Sequence, residues 1–212
     1  MIWHDYSKLK GTHAFCSASN FSWRNYDLSK LEQVKINSYA APIGTALHEY
    51  AANNITRRFK MTKADKHSVL RYLVVDKKFP AKAVDIDYIF PNLMAYVNDG
   101  IGFGMSPEVI LYYSPHFFGT ADCISFENDV LQISDLKTGK SEPSFKQLEN
   151  YAALFCLDYK VRPKDIKQII FRLYHGEELM IAEPPSDILK PIIDQITEFN
   201  KFLMWFEDRS NE

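Results

Sequence analysis

Asp122, Asp135 and Lys137 are the residues of this chain whose types and spacing point most directly to chemistry, and Gln147 and Tyr151 follow them closely. Ala121–Phe126 and Val130–Leu136 are rich in β-branched and aromatic residues and read as two strands joined at Glu127-Asn128-Asp129, a turn-forming run. Side chains alternate faces along a strand, so Asp135 and Lys137 share one face, and the hairpin partner brings Asp122 beside them. Gln147 and Tyr151 fall one turn apart on a helix expected from Ser144 to Asp158, and share a face of it. Two convergent carboxylates are the usual protein contribution to a Mg²⁺ site. Such an ion lowers the pKa of a bound water and polarises a phosphoryl oxygen. A lysine alongside offsets negative charge building on a phosphate, or serves as a general base. Gln147 and Tyr151 would orient the phosphate or the lysine by hydrogen bonds. Each piece alone is ordinary: Asp-x-Lys is a common solvated strand edge, and an aspartate near a turn often caps it. Their order and spacing together make the set read as a phosphodiester-hydrolysing site.

That order also resembles a known family. Gly119-Thr120-Ala121-Asp122, then Asp135-Leu136-Lys137-Thr138-Gly139-Lys140, then Gln147 and Tyr151, resembles the RecB-like branch of the PD-(D/E)xK nuclease superfamily. Within that branch it looks most like the RecB-like exonucleases of phage and prophage genomes. Gly44-Thr45-Ala46-Leu47-His48-Glu49 is similar to the branch's first motif, a helix carrying a histidine, and Ser17-Ala18-Ser19 with Trp23 is similar to its opening element. The resemblance implies that His48, Asp122 and Asp135 hold the metal, with the Leu136 carbonyl as a further oxygen. It implies that Lys137 is the catalytic lysine, that Gln147 and Tyr151 support it, and that Glu108 assists the metal's surroundings. An imidazole ligand suits Mn²⁺ as well as Mg²⁺. Glu49 follows His48 directly, but about 100° around the helix, and is left out of the metal site.

Many relatives also carry an iron–sulfur cluster on four cysteines. Here Cys16, Cys123 and Cys156 are the only ones, none follows Cys156, and Arg24-Asn25-Tyr26 stands where a cysteine would follow the tryptophan. Four thiolates are needed, so no cluster is expected. No Gly-x-x-x-x-Gly-Lys-Ser/Thr run occurs, so the chain is not itself a helicase.

The elements that must position these residues read as a mixed α/β protein. The expected architecture is a restriction-endonuclease-like core, a central mixed sheet flanked by helices, with a helical N-terminal part. We expect a single domain over 1–212, with residues 1–104 mainly helical and carrying the His48 motif, and 105–212 forming the sheet core and closing helix. Leu47, Ala51, Ile55 and Phe59 recur at helical spacing over 44–59. Further helices are expected within 63–75 and 83–98, the second with a kink at Pro91. The texture changes at Gly102-Phe103-Gly104. Glu108–Tyr113 reads as a strand before Asp122, and Lys167–Tyr174 and Glu178–Ala182 as strands after the Gln147 helix. A strand, a crossover helix and a strand imply a right-handed parallel unit. Residues 186–207 read as an amphipathic closing helix, with Trp205 and Phe206 as packing residues.

Composition is compatible with this reading. In 212 residues, 46% are hydrophobic and 25% charged, a globular balance with no apolar run long enough to span a bilayer. The N-terminus lacks a secretory layout, and three unpaired cysteines suit a reducing compartment, so a soluble cytoplasmic protein is expected, in a bacterium or a phage-infected host cell. A net charge of -2 shows no overall basic character of the kind that grips a phosphate backbone. The local basic run Arg57-Arg58, Lys60 and Lys63 is a candidate DNA contact, with a solvated face as its other reading. Phe117 and Phe118, before an expected turn at Gly119, are candidates for stacking on a frayed base, with core packing as the other reading.

The function expected is a Mg²⁺- or Mn²⁺-dependent DNA exonuclease, acting on duplex ends or single strands in phage or bacterial recombination and repair, alongside a recombination partner protein. The other readings are a restriction-like endonuclease on the same fold, and a non-catalytic nucleic-acid-binding or scaffold subunit.

Overall fold

The structure, a computed structural model, describes residues 14–16, 21–139, 142–176 and 178–210. Ser17, Ala18 and Ser19 of the opening element, and Lys140, lie outside these residues. Among the described residues, six α-helices and five strands follow one another as α1 (Leu28–Asn37), α2 (Ala40–Thr56), α3 (Lys66–Arg71), α4 (Ile86–Gly102), β1 (Ser106–Ser114), β2 (Phe117–Glu127), β3 (Val130–Lys137), α5 (Lys146–Asp158), β4 (Gln168–His175), β5 (Glu178–Ala182) and α6 (Leu189–Ser210). The strands form one sheet in sequence order, β1-β2-β3-β4-β5. All pairs are antiparallel except β3 and β4, which run parallel with α5 as the crossover. This is the mixed sheet flanked by helices, with a helical N-terminal part, that the sequence implies.

Local chemistry explains most boundaries. The β2–β3 hairpin closes on Asn128 (φ 53°) and Asp129 (φ 65°), two residues that tolerate the left-handed region better than most, so the strands keep their twist through a two-residue turn. Asp27 caps α1 by accepting from Lys30 N at 2.7 Å, and Asp85 caps α4 by accepting from Tyr88 N at 3.3 Å. α4 runs unbroken through Pro91 and ends before Gly104, whose φ of +63° turns the chain into the sheet.

Four expectations change in detail. The His48 helix spans 40–56, not 44–59. Its first turn takes in Pro42, which costs no hydrogen bond there, and Arg58 (φ 55°) ends it, so Phe59 is 61% exposed and leaves the apolar stripe. The 63–75 region is a composite, a 3₁₀ turn at Lys63–Asp65, then α3, then a π-helical segment at Tyr72–Asp76. Ser144 is not the N-cap of α5. Phe145 occupies that position, and Ser144 Oγ accepts from Lys146 N at 3.3 Å just ahead of the helix. Trp205 and Phe206 are 49% and 55% exposed, not core, and their rings meet Phe202 on the same helix.

The sheet has an apolar cluster on each face. On one face Leu47, Ala51 and Ile55 of α2 pack with Leu93, Tyr96 and Val97 of α4, over Leu136 and Tyr174. On the other, Leu148, Ala152 and Phe155 of α5 and Leu189 and Ile196 of α6 pack over Leu111, Leu131, Ile133, Ile169, Phe171 and Leu173. Covering both faces buries the middle of β3 completely, from Ile133 to Leu136, so Asp135 is drawn into a place that few carboxylates occupy. Among the described residues, no helix is long and apolar enough to cross a membrane.

Candidate active site

Asp122 and Asp135 meet where β2 and β3 part. Their ladder runs from Glu127↔Val130 to Cys123↔Ser134 and stops there. The next pair in register would be Asp122 and Asp135. The Leu136 N–H, left without a strand partner on that side, donates instead to Asp122 Oδ2 at 3.1 Å.

Face alternation also breaks at this point. Ile124 packs on the α5 side, Cys123 on the α4 side, and Ala121 on the α5 side again. Opposite the break, between the pairs Pro107↔Cys123 and Val109↔Ala121, sits Glu108, with φ 52°. A non-glycine residue in the left-handed region within a strand is strained, and such strain gathers at functional sites. Here it coincides with both carboxylates reaching the α2 side. His48 Nδ1 lies 3.3 Å from Asp122 Oδ2 and 4.0 Å from Glu108 Oε1. Donor atoms of His48, Glu108 and Asp122 all lie within 4.8 Å of one another. Two oxygens bound to one divalent cation at roughly 2.0–2.6 Å are at most about 5 Å apart, so the three fit a shared ion. The Leu136 backbone lies close enough to the His48 ring to favour its protonated form slightly.

On the α5 side the other set forms a chain. Lys137 Nζ lies 3.0 Å from Asp135 Oδ1 and 2.9 Å from Oδ2, and donates to Gln147 Oε1 at 2.7 Å. Gln147 Nε2 then donates to Tyr151 Oη at 3.0 Å. Two glycines allow this closeness. A Cβ on Gly119 would lie 3.0 Å from Tyr151 Cε1, and one on Gly44 would lie 2.9 Å from Thr138 Oγ1, so α5 and α2 each settle against the strand ends. Asp135 Oδ2 is buried with no hydrogen bond of good geometry, although its ammonium neighbour is close.

Electrostatics favour a cation here. Burial, and then the nearby charge of Asp135, push the Asp122 carboxyl up to about 8, although the Leu136 N–H holds it back. Burial lowers His48 below its ordinary value, against the pull of Asp135 and Glu108. A neutral imidazole is the form that ligates metal. A carboxyl group that resists ionising beside another acidic side chain lacks positive charge, and a divalent ion would supply it.

The structure thus gathers His48, Asp122, Asp135, Leu136, Lys137, Gln147 and Tyr151 around one fork in the sheet. Glu108, an auxiliary in the sequence reading, stands level with Asp122 next to His48. Its signal in the sequence was the resemblance, which implied a glutamate assisting the metal's surroundings at the strand before Asp122. Asp135 binds Lys137 and acts on the His48 cluster through its charge. Arg57, Arg58 and Lys60 are exposed, but at the far end of α2, about 13 Å along its axis from His48, and do not join the site. Glu49 points away, as expected, and pairs with Lys77 Nζ at 2.6 Å. Gly119 is not a turn but lies within β2. Phe117 is half-buried against the α5 cluster, whereas Phe118 is 61% exposed beside Tyr112.

Fold and site together define an α/β protein with an imidazole–carboxylate cluster and a buried aspartate paired with a half-buried lysine at a sheet fork. The model of a family described as a protein of unknown function (DUF2800) matches residues 13–159, and the chain belongs to that family. No curated protein and no solved structure matches it. The matched segment contains every residue of the cluster from His48 to Tyr151.

Proposed function

We propose that the protein is a metal-dependent deoxyribonuclease of the RecB-like PD-(D/E)xK type. It acts as an exonuclease on DNA in phage or bacterial recombination and repair, with Mg²⁺ or Mn²⁺ as cofactor. The observation that carries this is the convergence, at one fork in the sheet, of His48, Glu108 and Asp122 with the chain Asp135–Lys137–Gln147–Tyr151. Hydrolysis of a phosphodiester needs what this set offers: a divalent-cation site, a fixed ammonium beside it, and neutral hydrogen-bonding groups that hold the ammonium in place. The order of the motifs, from the Gly44–Glu49 helix to Tyr151, supports the family assignment.

In this reading His48, Asp122, Glu108 and the Leu136 carbonyl would hold the cation, which would supply Lewis-acid chemistry to a water and to the phosphate. Asp135 fixes Lys137 at its buried end. Lys137 then faces the reacting phosphate with a charge that Asp135 and Gln147 have already oriented, so little reorganisation is needed as negative charge builds. Tyr151 holds Gln147 and thereby keeps Lys137 from swinging into solvent.

The test incubates the purified protein with linear and with closed circular DNA in EDTA, Mg²⁺ or Mn²⁺. Loss of the linear form alone, and only with metal, is the expected result. Nicking of circles would favour an endonuclease, and binding without cleavage in any metal would overturn the nuclease reading. Lys137→Ala should abolish cleavage. Wild-type rates in that variant would remove the role given to the lysine.

A further inference from the structure

Beside the fork lies a groove of about 460 Å³, walled by β2, α5 and α6, and among its lining residues are Phe118, Gln147, Asn150, Tyr151, Gln195 and Phe199. It shares Gln147 and Tyr151 with the candidate active site, so whatever occupies it is held next to Lys137. Its chemistry differs from that site. No carboxylate, ammonium or guanidinium among the described residues lines it, whereas the fork is dense in charge. Aromatic rings and side-chain amides take their place. Phe118 is 61% exposed and Phe199 49% exposed, both beside the cavity. The amides of Asn150 and Gln195 are exposed, and each offers donors and an acceptor at once.

Among the described residues, the His116 imidazole, 3.3 Å from Glu207, is the one titratable group in that lining besides the Tyr151 phenol. A cavity walled mainly by flat apolar rings and two-way hydrogen-bonding groups does not suit a phosphate. It suits a flat, neutral, heteroaromatic ring whose edge both donates and accepts. On a DNA strand that ring is the base, and bases stack on aromatic side chains with little sequence preference. A base within a duplex has its faces stacked and its pairing edge engaged, so only an unpaired base can enter. The geometry points to a subsite for an unpaired nucleobase, held with one face against Phe118 and its edge towards Asn150 or Gln195, immediately beside the reacting phosphate. The substrate is then a single-stranded DNA, or a duplex end frayed into one. This inference rests on the nuclease reading for the identity of the strand.

Binding tests it apart from cleavage. The full chain is titrated in EDTA, where a metal-dependent enzyme leaves DNA intact, with a single-stranded dodecamer carrying 2-aminopurine near one end. Stacking quenches that base. Wild type and Phe118→Tyr should quench it, Phe118→Ala should not, and Phe118→Ala should bind the strand about tenfold or more weakly. A dodecamer with an abasic site in place of the probe should bind wild type and Phe118→Ala alike. Binding without quenching, equal affinity of Phe118→Ala for the intact strand, or no binding of single strand would each overturn the subsite. Because Phe118 is exposed, its variants should fold normally. A parallel digestion of linear DNA in Mn²⁺ separates the two ideas. Cleavage without quenching removes the subsite and keeps the nuclease, whereas quenching without cleavage keeps the base-binding groove and removes the nuclease.

Discussion

His48 Nδ1 and Asp122 Oδ2 lie 3.3 Å apart across the gap between α2 and β2, and burial drives both groups towards their neutral forms. The usual ion-pair interpretation of such a contact does not apply. The pair is better described as two groups near neutrality, each of a type able to ligate a metal, and its properties should depend on pH and on added metal.

The pH dependence follows from the raised carboxyl. With Asp122 near 8 in the folded protein and near 4 when unfolded, the folded state binds more protons between those values, so this group's contribution to stability falls as pH rises through that window. Without divalent cation, wild type should therefore lose stability relative to Asp122→Asn between about pH 4 and pH 8, measured by denaturant titration. Saturating Mn²⁺ should reverse the trend, raising the wild-type Tm more at pH 8 than at pH 6. Parallel stability curves for the two proteins would contradict the shift.

Glu108 should contribute to metal affinity as strongly as a ligand. Its carboxylate lies among the His48 and Asp122 donor atoms, so Glu108→Gln should weaken Mn²⁺ binding by roughly 10-fold to 100-fold, measured by calorimetry. An unchanged affinity would return Glu108 to an auxiliary role.

Gly119 tests the placement of Tyr151. Its missing Cβ leaves only 3.0 Å to Tyr151 Cε1, so Gly119→Val should displace the ring, break its bond to Gln147 and loosen Lys137. Cleavage should fall by roughly 10²-fold, the cost of losing one oriented charge-stabilising group, while far-UV circular dichroism stays unchanged. Tyr151→Phe, which keeps the ring but not the hydroxyl, should lose activity with no change in packing.

The fold itself can be tested by contrasting two residues. Leu93 is 0% exposed beneath α2, and Leu93→Ala should cost about 2–5 kcal/mol in chemical denaturation. Phe202 on α6 is 57% exposed, and Phe202→Ala should cost within about 0.5 kcal/mol. A large loss at Phe202 would mean that the outer half of α6 is packed after all.

What the sequence disclosed depended on range. The β2–β3 hairpin and the parallel β3–β4 unit were legible because β-branched runs, the Asn128-Asp129 turn and a helix-length connection are local signals. The Asp135–Lys137–Gln147–Tyr151 chain was legible for the same reason, being confined to one strand and the next helix. The closeness of the Glu108 carboxylate to the His48 and Asp122 donor atoms was not. It depends on where face alternation breaks at Asp122 and on a left-handed backbone within a strand, and neither is written in residue type. The helix boundaries near Arg58 and Ser144 moved for a similar reason, since single-residue backbone choices decided them. Trp205 and Phe206 misled because helical periodicity shows which face is apolar, not whether anything lies opposite it.

The donor atoms beside Asp122 come from positions 48 and 108, which the chain brings together only by closing a long loop through α4. A chain still being synthesised has neither the fork nor the imbedded histidine until α2 has docked on the finished hairpin. The loop-closure entropy is recovered only when both apolar faces are covered. The cluster therefore arises with the completed fold and is lost on partial unfolding, so a damaged or half-made copy would lack whatever the assembled donors do.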